Sequence, residues 1–512
     1  MSRKKITGPQ QPLPRDDDEK PLGDPPKIED PVAEKSFTQR VKLPLLIYII
    51  VLGGYLGASG GRLKKPTADI HYVYLAQCLL EGRLSLKGSP PHQNDWALVI
   101  ELELRNGEKV RGTFMKTGGP NVFRTTRGEK RLIEPKDIKR RRYRYYVSFP
   151  WFPALLMLPF VAIWGLKFND VIFTCVLGSF NAVLVFLVLR KLVELKLSQR
   201  SLREDLWLVA MFAFGTVNFY SSVIGQVWYT AHVVGVTITA VYALCALGGR
   251  RPYLAGLMLG LGFVTRTPIP FSFALLLGEV LRKHMAESAS AGLVDPLAPT
   301  RRPALWPWIK AGWAKVDKKP ALRELSLAAL PAIAVAGVAF VLNYLRFDRF
   351  FEFGHYYLNV RWKERIQRWG LFNYHFVARN LSAMLTLLPR IMARPPFVKV
   401  SWHGMSMFVT TPLLAYAIWP RRRSPVQPWL YLAVLGPMIL HLFYQNSGWV
   451  QFGFRFSLDY MVYLVAILAV GGRKIGIFAQ ALIVFGIGVN TFGAITFGRY
   501  WNYYWDGMYP AG

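Results

Sequence analysis

Long runs of uncharged, apolar residues recur along this 512-residue chain, and they constrain its fold more than any other feature of the sequence. An α-helix crosses the apolar core of a bilayer with about 20 such residues. Apolar runs occur at roughly 43–59, 171–189, 206–224, 230–248, 253–265, 268–281, 326–345, 405–419, 428–444, 457–472 and 475–496. The sequence therefore predicts an all-α polytopic membrane protein with about 11 transmembrane helices.

The basic residues predict how these helices are oriented. The chain carries 63 Lys and Arg against 31 Asp and Glu, a formal net charge of +32. The cations lie mainly in loops between apolar runs, where they orient helices and meet anionic lipid, so we expect membrane lipids and no nucleic acid as partners. A cytoplasmic N-terminus in the plasma (inner) membrane places Lys or Arg in every predicted inner loop, at 190–205, 249–252, 282–325, 421–427 and 471–474.

This orientation depends on the stretch 149–166, because counting it as a transmembrane helix would reverse every later loop. Its three prolines and two tryptophans favour an interfacial or re-entrant helix at the lipid headgroups. The short runs 253–265 and 268–281 are interpreted as a helical pair that meets at Arg266 near the outer face.

Other parts of the chain differ from this core in composition. Residues 1–42 are rich in Pro, Asp and Lys without periodicity, which predicts a disordered cytoplasmic tail. Residues 95–148 alternate apolar and polar side chains between glycine-containing turns, which predicts a small β-rich extracytoplasmic insertion. Five parts result: the tail 1–42, the first transmembrane helix with an interfacial helix at 43–94, the insertion 95–148, the core 149–501 with an outer loop at 347–403, and an extracytoplasmic tail at 502–512.

Asp69 is the main candidate for a catalytic residue, together with His71. Apolar residues at three- and four-residue spacing predict an amphipathic surface helix over 67–86 that would hold both side chains at the water boundary. A carboxylate there could deprotonate or orient an acceptor hydroxyl, or bind a divalent cation. The alternative is that Asp69 only caps the helix that begins near Ile70. The sequence identifies no cofactor with certainty and leaves metal dependence open.

Two arginines are candidates for binding a phosphate. Arg266 lies between two short apolar runs, where a guanidinium could hold a phosphate by bidentate hydrogen bonds, or could only mark a helix end. Arg455 stands four residues before Asp459, so the two side chains would share one side of a helix and could pair. A structural pair and a ligand-binding pair look alike in sequence.

A polar and aromatic cluster lies between two predicted spans. It contains Gln226, Tyr229 and His232, which could line a sugar pocket at an outer turn. An ordinary aromatic belt with a buried histidine is at least as good an interpretation. The chain has no phosphate-binding glycine loop, no dinucleotide fingerprint, no HExxH motif and no nucleophile elbow, which disfavours a nucleotide-powered transporter.

The order of these motifs resembles the GT-C superfamily of integral-membrane glycosyltransferases, which includes protein O-mannosyltransferases and lipid A aminoarabinose transferases. The resemblance rests on one span followed by Asp69-Ile70-His71-Tyr72, then on Tyr146-Val147-Ser148-Phe149-Pro150 with a proline-rich helix. It continues with Thr265-Arg266-Thr267-Pro268 and ends on Phe452-Gly453-Phe454-Arg455. It covers most of the chain from Lys42 to about Trp501, and its motifs are short.

The resemblance implies an inverting transferase that moves a sugar from a polyprenyl-phosphate donor to an extracytoplasmic acceptor, which could be a lipid, a glycan or a protein. It implies catalytic roles for Asp69 and His71 and donor phosphate binding by Arg266 and Arg455. The implied sugar or acceptor pocket consists of Tyr72, Gln226, Tyr229, His232 and Asp459. The alternative is a non-enzymatic lipid or glycolipid transporter, in which the same groups bind a headgroup and the helices form a path across the bilayer.

Overall fold

The computed structural model describes residues 37–285, 315–360 and 362–507. Most of the predicted cytoplasmic tail and part of the predicted inner loop 282–325 therefore lie outside the described residues, as do the last positions of the C-terminal tail. The chain divides into two units at Leu43. Described residues of the first unit belong to the start of the first helix, and the second unit begins at Pro44.

The described part of the chain is mainly helical. Its helices are α1 (Phe37–Ser59), α2 (His71–Leu80), α3 (Phe152–Trp164), α4 (Asp170–Glu194), α5 (Leu202–Phe214), α6 (Asn218–Ser222), α7 (Gln226–Ala246), α8 (Pro252–Phe263), α9 (Ala274–Lys283), α10 (Lys318–Phe347), α11 (Lys363–Trp369), α12 (Val377–Leu385), α13 (Met407–Thr410), α14 (Gln427–Phe443), α15 (Met461–Val470) and α16 (Ile477–Thr496).

Five of these helices, among the described residues, are long and apolar enough to cross a membrane: α1, α4, α7, α10 and α16. Shorter apolar helices include α3, α8, α14 and α15. Helix occupies each of the eleven apolar runs, but several runs are broken or too short to cross alone. The prediction of a helical membrane protein is confirmed at this level, whereas the count of eleven crossings stays a prediction.

The predicted surface helix is shorter than its sequence pattern indicates. Helix α2 begins at His71 and ends at Leu80, instead of extending over 67–86. Residues before His71 are held by hydrogen bonds to other elements, as described below. After Leu80 the chain turns at Gly82, whose φ of +64° lies in the left-handed region that favours glycine. The helical periodicity in sequence therefore extends beyond the helix itself.

A five-stranded antiparallel sheet forms in the stretch that was expected to be β-rich. Its strands are β1 (Trp96–Leu104), β2 (Lys109–Phe114), β3 (Val122–Thr125), β4 (Lys130–Leu132) and β5 (Ile138–Val147), in the order β4-β3-β2-β1-β5. Alternate side chains of β1, including Ile100 and Leu102, pack with Phe123 in a small core under the sheet. The β-rich prediction is thus confirmed, and β5 forms one edge of the sheet. A smaller sheet is formed by β6 (Arg390–Ile391), β7 (Val398–Ser401) and β8 (Tyr504–Trp505).

The five-stranded sheet is fastened to the end of α10. Arg111 on β2 donates to Asp348 at 3.1 Å, and the Thr126 hydroxyl donates to the same carboxylate at 2.6 Å. Arg346 is buried and donates to the backbone oxygen of Val147 at 3.0 Å. These bonds fix both the middle of the sheet and the end of β5, which leads directly toward the candidate site.

Helices α8 and α10 pack at very short range. A Cβ atom added to Gly256 would lie 1.8 Å from the carbonyl oxygen of Ala328, so only glycine permits this contact. Helices α4 and α7 are joined by polar bonds instead. Asn181 donates to the backbone oxygen of Val233 at 2.8 Å. The backbone N–H of Gln226, the first residue of α7, donates to the carboxylate of Asp170, the first residue of α4, at 2.8 Å, which fixes the two helix starts side by side where the candidate site lies.

Candidate active site

The backbone around Asp69 is held by the first turns of two helices. Thr67 donates to Asp170 through its backbone N–H at 2.9 Å and through its hydroxyl at 2.6 Å. The backbone N–H of Val227 donates to the Asp69 carbonyl at 3.0 Å. Asp170 begins α4 and Val227 lies in the first turn of α7, so Asp69 is fixed where these two helices begin.

The Asp69 carboxylate is oriented by two side chains. Gln226 donates through Nε2 to Oδ2 at 3.0 Å, and Nε2 of His92 lies 3.3 Å from Oδ1. Residue Ile70 occupies the N-cap of α2 without a side-chain capping bond, so the alternative of Asp69 as a simple helix cap is wrong. Burial raises the pKa of the Asp69 carboxyl, while the neighbouring His92 lowers it. Its side chain keeps 14% of its surface exposed and can meet a substrate.

Asp95 is a second carboxylate beside Asp69, and the sequence analysis missed it as a site residue. It is 9% exposed and accepts a hydrogen bond from Nε1 of Trp228 at 2.9 Å. Burial raises the pKa of Asp95 to about 6, the bond from Trp228 lowers it, and the negative charge of Asp69 raises it further. Arg455 and His92 act on it in the opposite direction. These charges therefore surround one region.

Two residues of this site have strained backbone conformations. Asp95 and Gln226 each have a φ of +59°, in the left-handed region that side chains other than glycine rarely adopt. Such strain persists where the surrounding structure enforces it and is frequent at functional sites. Here it turns the side chain of Gln226 toward Asp69 and that of Asp95 toward Trp228.

His71 and Tyr72, which the sequence places in the site, are buried by the fold. His71 has no exposed surface, stacks on Trp96 with ring centroids 4.0 Å apart, and contacts the carbonyl of Asn94 at 3.2 Å through Nε2. Burial lowers the pKa of His71 to about 4, so its ring is neutral at pH 7. Tyr72 is 1% exposed. A catalytic role for His71 stays a prediction, and the contacts of its ring support the segment that carries Asp95.

Arg266 and Asp459 form a two-point ion pair. Arg266 donates through Nε to both carboxylate oxygens at 3.2 Å and through Nη2 to Oδ2 at 3.0 Å. Nδ1 of His232 lies 3.1 Å from Oδ1, and Nε2 of His441 lies 2.9 Å from Oδ2. Asp459 has no exposed surface and His232 has 1%. Both were expected in a sugar pocket, but the structure makes them internal supports of Arg266.

The expected pair of Arg455 with Asp459 does not form. Residues Arg455–Asp459 form a 3-10 helix, in which positions three apart align, so a spacing of four does not bring the side chains together. Arg455 instead donates through Nη1 to the carbonyl of Val450 at 2.7 Å and lies over the ring of Tyr229, 5.2 Å from its centroid. It is 5% exposed, and its buried Nε has no hydrogen-bond partner within the described residues.

Arg455 is therefore a buried cation without a carboxylate in ion-pair contact, as far as the described chain extends. The carbonyl of Val450, to which Arg455 donates, also accepts a hydrogen bond from the Tyr229 hydroxyl at 3.0 Å. An uncompensated buried guanidinium is costly unless an anion completes its environment. This is the electrostatic signature of an anion site.

Contacts of neighbouring residues bring these charges together. In the first turn of α7, Gln226 bonds Asp69, Trp228 bonds Asp95, and Tyr229 lies against Arg455. The guanidiniums of Arg266 and Arg455 both lie over the ring of Phe456, 5.3 and 5.6 Å from its centroid. Both carboxylates and both guanidiniums therefore lie in one region, which the sequence could predict only in part.

No group of three or more His, Cys, Asp or Glu side chains placed to hold a metal ion occurs in the part of the chain that the structure describes. The oxygens of Asp69 also face Gln226 and His92, and Oδ2 of Asp95 already accepts from Trp228. The residues present do not form a ready ligand set, so we assign no step of the reaction to a divalent cation.

Comparisons with known proteins give one structural likeness. No protein-family model matches the chain, and no curated protein matches it. Among solved structures, the chain is similar to the apo form of the oligosaccharyltransferase of Archaeoglobus fulgidus, with a TM-score of 0.44 and 11% sequence identity. The match covers 92% of this chain and 57% of that one, so the chain spans little more than half the length of that protein.

Proposed function

We propose that this protein is a membrane glycosyltransferase that moves a sugar from a polyprenyl-phosphate donor to an extracytoplasmic acceptor with inversion. The observation that carries the proposal is the buried guanidinium of Arg455, which has no carboxylate in ion-pair contact among the described residues and lies beside the turn of α7 that bonds Asp69 and Asp95. A sugar phosphate combines an anionic phosphate with the carbon at which the sugar is transferred. The guanidinium suits the phosphate, and the carboxylates suit the chemistry at that carbon. The plasma membrane location and a cytoplasmic N-terminus belong to the same proposal.

The donor phosphate is assigned to the two arginines. Arg455 offers a buried Nε that has no protein partner among the described residues. Arg266 is fixed by Asp459 but keeps 20% of its side chain exposed, so it can contribute positive charge without changing its position. When the bond to the sugar breaks, negative charge develops on the phosphate, and preorganised donors stabilise it most effectively.

Asp69 is assigned the role of the base that acts on the acceptor hydroxyl. The acceptor hydroxyl attacks the anomeric carbon, the bond from that carbon to the phosphate oxygen breaks, and the electron pair leaves with the phosphate. Asp69 takes the hydroxyl proton, which its raised pKa favours at the moment of transfer. One displacement of this kind inverts the anomeric carbon. Gln226 and His92 position the carboxylate.

Asp459, His232 and His441 are assigned a positioning role. Asp459 pairs with the guanidinium of Arg266, which keeps 20% of its side chain exposed. His232 and His441 in turn contact the carboxylate of Asp459. A carboxylate that is completely buried and surrounded by three nitrogen-bearing side chains is stable only as part of this network. We therefore expect changes at Asp459 to act on donor binding through Arg266.

The test uses purified full-length protein in nanodiscs and a panel of radiolabelled polyprenyl-phosphate sugars. We expect Asp69→Asn to abolish transfer while retaining donor binding, and Arg455→Gln to weaken donor binding. Arg140→Gln, which removes an equal charge from the exposed part of β5, serves as the matched control and should transfer normally. Wild-type protein that binds the labelled lipid but transfers none of the sugars would contradict the enzyme and favour the transporter.

A further inference from the structure

The loop from Gln445 to Val450 is bonded by arginines at both of its ends. At its far end, the carbonyl of Val450 accepts from Tyr229 and Arg455 of the candidate active site. At the first residue of the loop, Gln445 accepts hydrogen bonds from two other arginines. Arg365 donates through Nη2 to its side-chain oxygen at 3.1 Å, and Arg379 donates through Nη2 to its carbonyl at 2.6 Å.

Arg365 and Arg379 resemble Arg455 in their surroundings. Both are partly buried, and the buried Nε of each has no hydrogen-bond partner among the residues described. Neither has a carboxylate within the 4.0 Å ion-pair distance in the described segments. Two guanidiniums on one glutamine repel each other, so this arrangement leaves positive charge that an anion would neutralise.

Tryptophan side chains cover the same side of the loop. Trp449 packs between Trp362 and Trp402, with ring centroids 5.7 and 5.9 Å away. The indole Nε1 atoms of Trp362 and Trp402 are buried without a hydrogen-bond partner within the described chain. Trp362 directly precedes the helix that carries Arg365, whose backbone N–H donates to the Trp362 carbonyl at 3.1 Å.

The loop itself is held by several hydrogen bonds. Gln451 donates through Nε2 to the carbonyls of Ser447 at 2.7 Å and His403 at 2.8 Å, and its Oε1 accepts from the backbone of Arg455. Gly448 has a φ of +102°, and a Cβ there would lie 2.3 Å from Oε1 of Gln451, so the turn requires glycine. His403 bonds Ser447 at 2.7 Å; burial lowers the pKa of His403 to about 4, so it adds a hydrogen-bonding group and no charge at pH 7.

We infer that Arg365, Arg379 and the tryptophans around Trp449 form a subsite for an acidic sugar of the acceptor. Guanidiniums suit a carboxylate, and indole faces suit the apolar face of a pyranose ring. The donor phosphate is assigned to Arg455, which bonds the opposite end of the loop at Val450. The inference rests on the proposed function, because it names the acceptor class of that enzyme.

The test measures binding, not transfer, so it can fail independently of the proposed function. Full-length protein in detergent is titrated with tri-galacturonate and with neutral maltotriose, and tryptophan fluorescence reports binding. We expect the acidic trisaccharide to bind at least about tenfold more tightly than the neutral one. We also expect Arg365→Gln with Arg379→Gln to remove that preference, and Arg365→Lys with Arg379→Lys to restore part of it.

Two controls make the outcome decisive. Arg140→Gln with Arg142→Gln removes the same charge from the exposed edge strand and should leave the preference unchanged. Arg455→Gln tests the donor end of the loop in the same assay. Equal binding of both trisaccharides to wild-type protein would overturn the inference. A preference lost in Arg455→Gln and kept in the Arg365/Arg379 variant would also overturn it, because the anion would then occupy the donor side.

Discussion

Gln226 donates from its side-chain amide to Oδ2 of Asp69 at 3.0 Å, although 157 positions separate the two residues in sequence. The bond joins the segment before α2 to the first residue of α7. It forms beside a second link, from the backbone of Val227 to the Asp69 carbonyl. The candidate base is therefore oriented by a helix that also carries Tyr229 and His232 into the interior.

Changing Gln226 should slow transfer less than changing Asp69 does. Asp69→Asn removes the proton acceptor, and we expect a loss of about 10²- to 10⁴-fold in the transfer rate. Gln226→Ala leaves the carboxylate in place with His92 as its remaining contact, so about a tenfold loss is expected. Initial rates at saturating donor measure both. Equal losses in the two variants would contradict the assignment of distinct roles.

The transfer rate should rise as pH increases through the range in which Asp69 ionises, which lies above the ordinary carboxyl pKa of 3.8. Asp69 must be ionised to accept a proton, and burial raises its pKa. His92 lowers the pKa of Asp69, so His92→Gln should move the acidic limb of the profile to higher pH. Rates from pH 4.5 to 8 test this. A limb that stays in place or moves to lower pH in His92→Gln would argue against contact of the two groups in the working enzyme.

Asp95→Asn should stabilise the protein at neutral pH. The folded state holds the Asp95 proton more tightly than the unfolded chain, since the pKa rises from 3.8 to about 6. The stability of the wild type therefore falls as pH rises across this window, by at most about 3 kcal/mol. The asparagine can still accept the bond from Trp228. Thermal unfolding should show a higher Tm for Asp95→Asn at pH 7.5 and nearly equal values at pH 4.

Breaking the pair of Arg266 and Asp459 should be more harmful than replacing it. Asp459→Leu leaves a cation beside two histidines without its carboxylate, at a cost of about 3–5 kcal/mol. Arg266→Met with Asp459→Leu removes both charges and should recover much of this loss. Denaturant unfolding of the two single variants and the double variant gives the coupling free energy. A coupling near zero would mean that the pair does not stabilise the fold.

Two glycines on the packed pair of helices α8 and α10 should respond oppositely to substitution. Gly256→Ala forces a Cβ into the carbonyl oxygen of Ala328 and should separate the helices, with a clear fall in Tm. Gly337→Ala meets nothing within 4 Å and should leave stability unchanged or raise it by up to about 1 kcal/mol. Equal effects would show that α8 and α10 do not pack this closely.

The sequence singled out Asp69 as a candidate site residue because a carboxylate at a membrane face is costly. It could not predict Asp95, since this residue reaches the site only when the start of β1 meets Trp228 on α7. A polar stretch from His92 to Asp95, directly before the strand, was the available signal. A spacing of two places His71 near Asp69 in sequence, whereas α2 begins at His71 and its ring stacks on Trp96, a contact that the sequence could not predict.

The sequence also singled out Arg266, Arg455 and Asp459, but the pair of Arg455 with Asp459 that it left open does not form. The spacing of four assumes an α-helix, and the segment is a 3-10 helix. The true partner of Asp459 is 193 positions away, so only tertiary structure reveals it. The charge that this rearrangement leaves without a carboxylate is that of Arg455, which is why its role emerges from the structure.

The loop from Gln445 to Val450 is shared by the two cationic regions. Gln451 bonds both Ser447 in the loop and the backbone of Arg455, so hydrogen bonds connect the two regions. If binding at one region shifts the loop, the two occupancies are thermodynamically linked, and whatever factor the acceptor applies to donor affinity, the donor must apply to acceptor affinity. Under the proposed function, the binding of each substrate would then depend on the presence of the other.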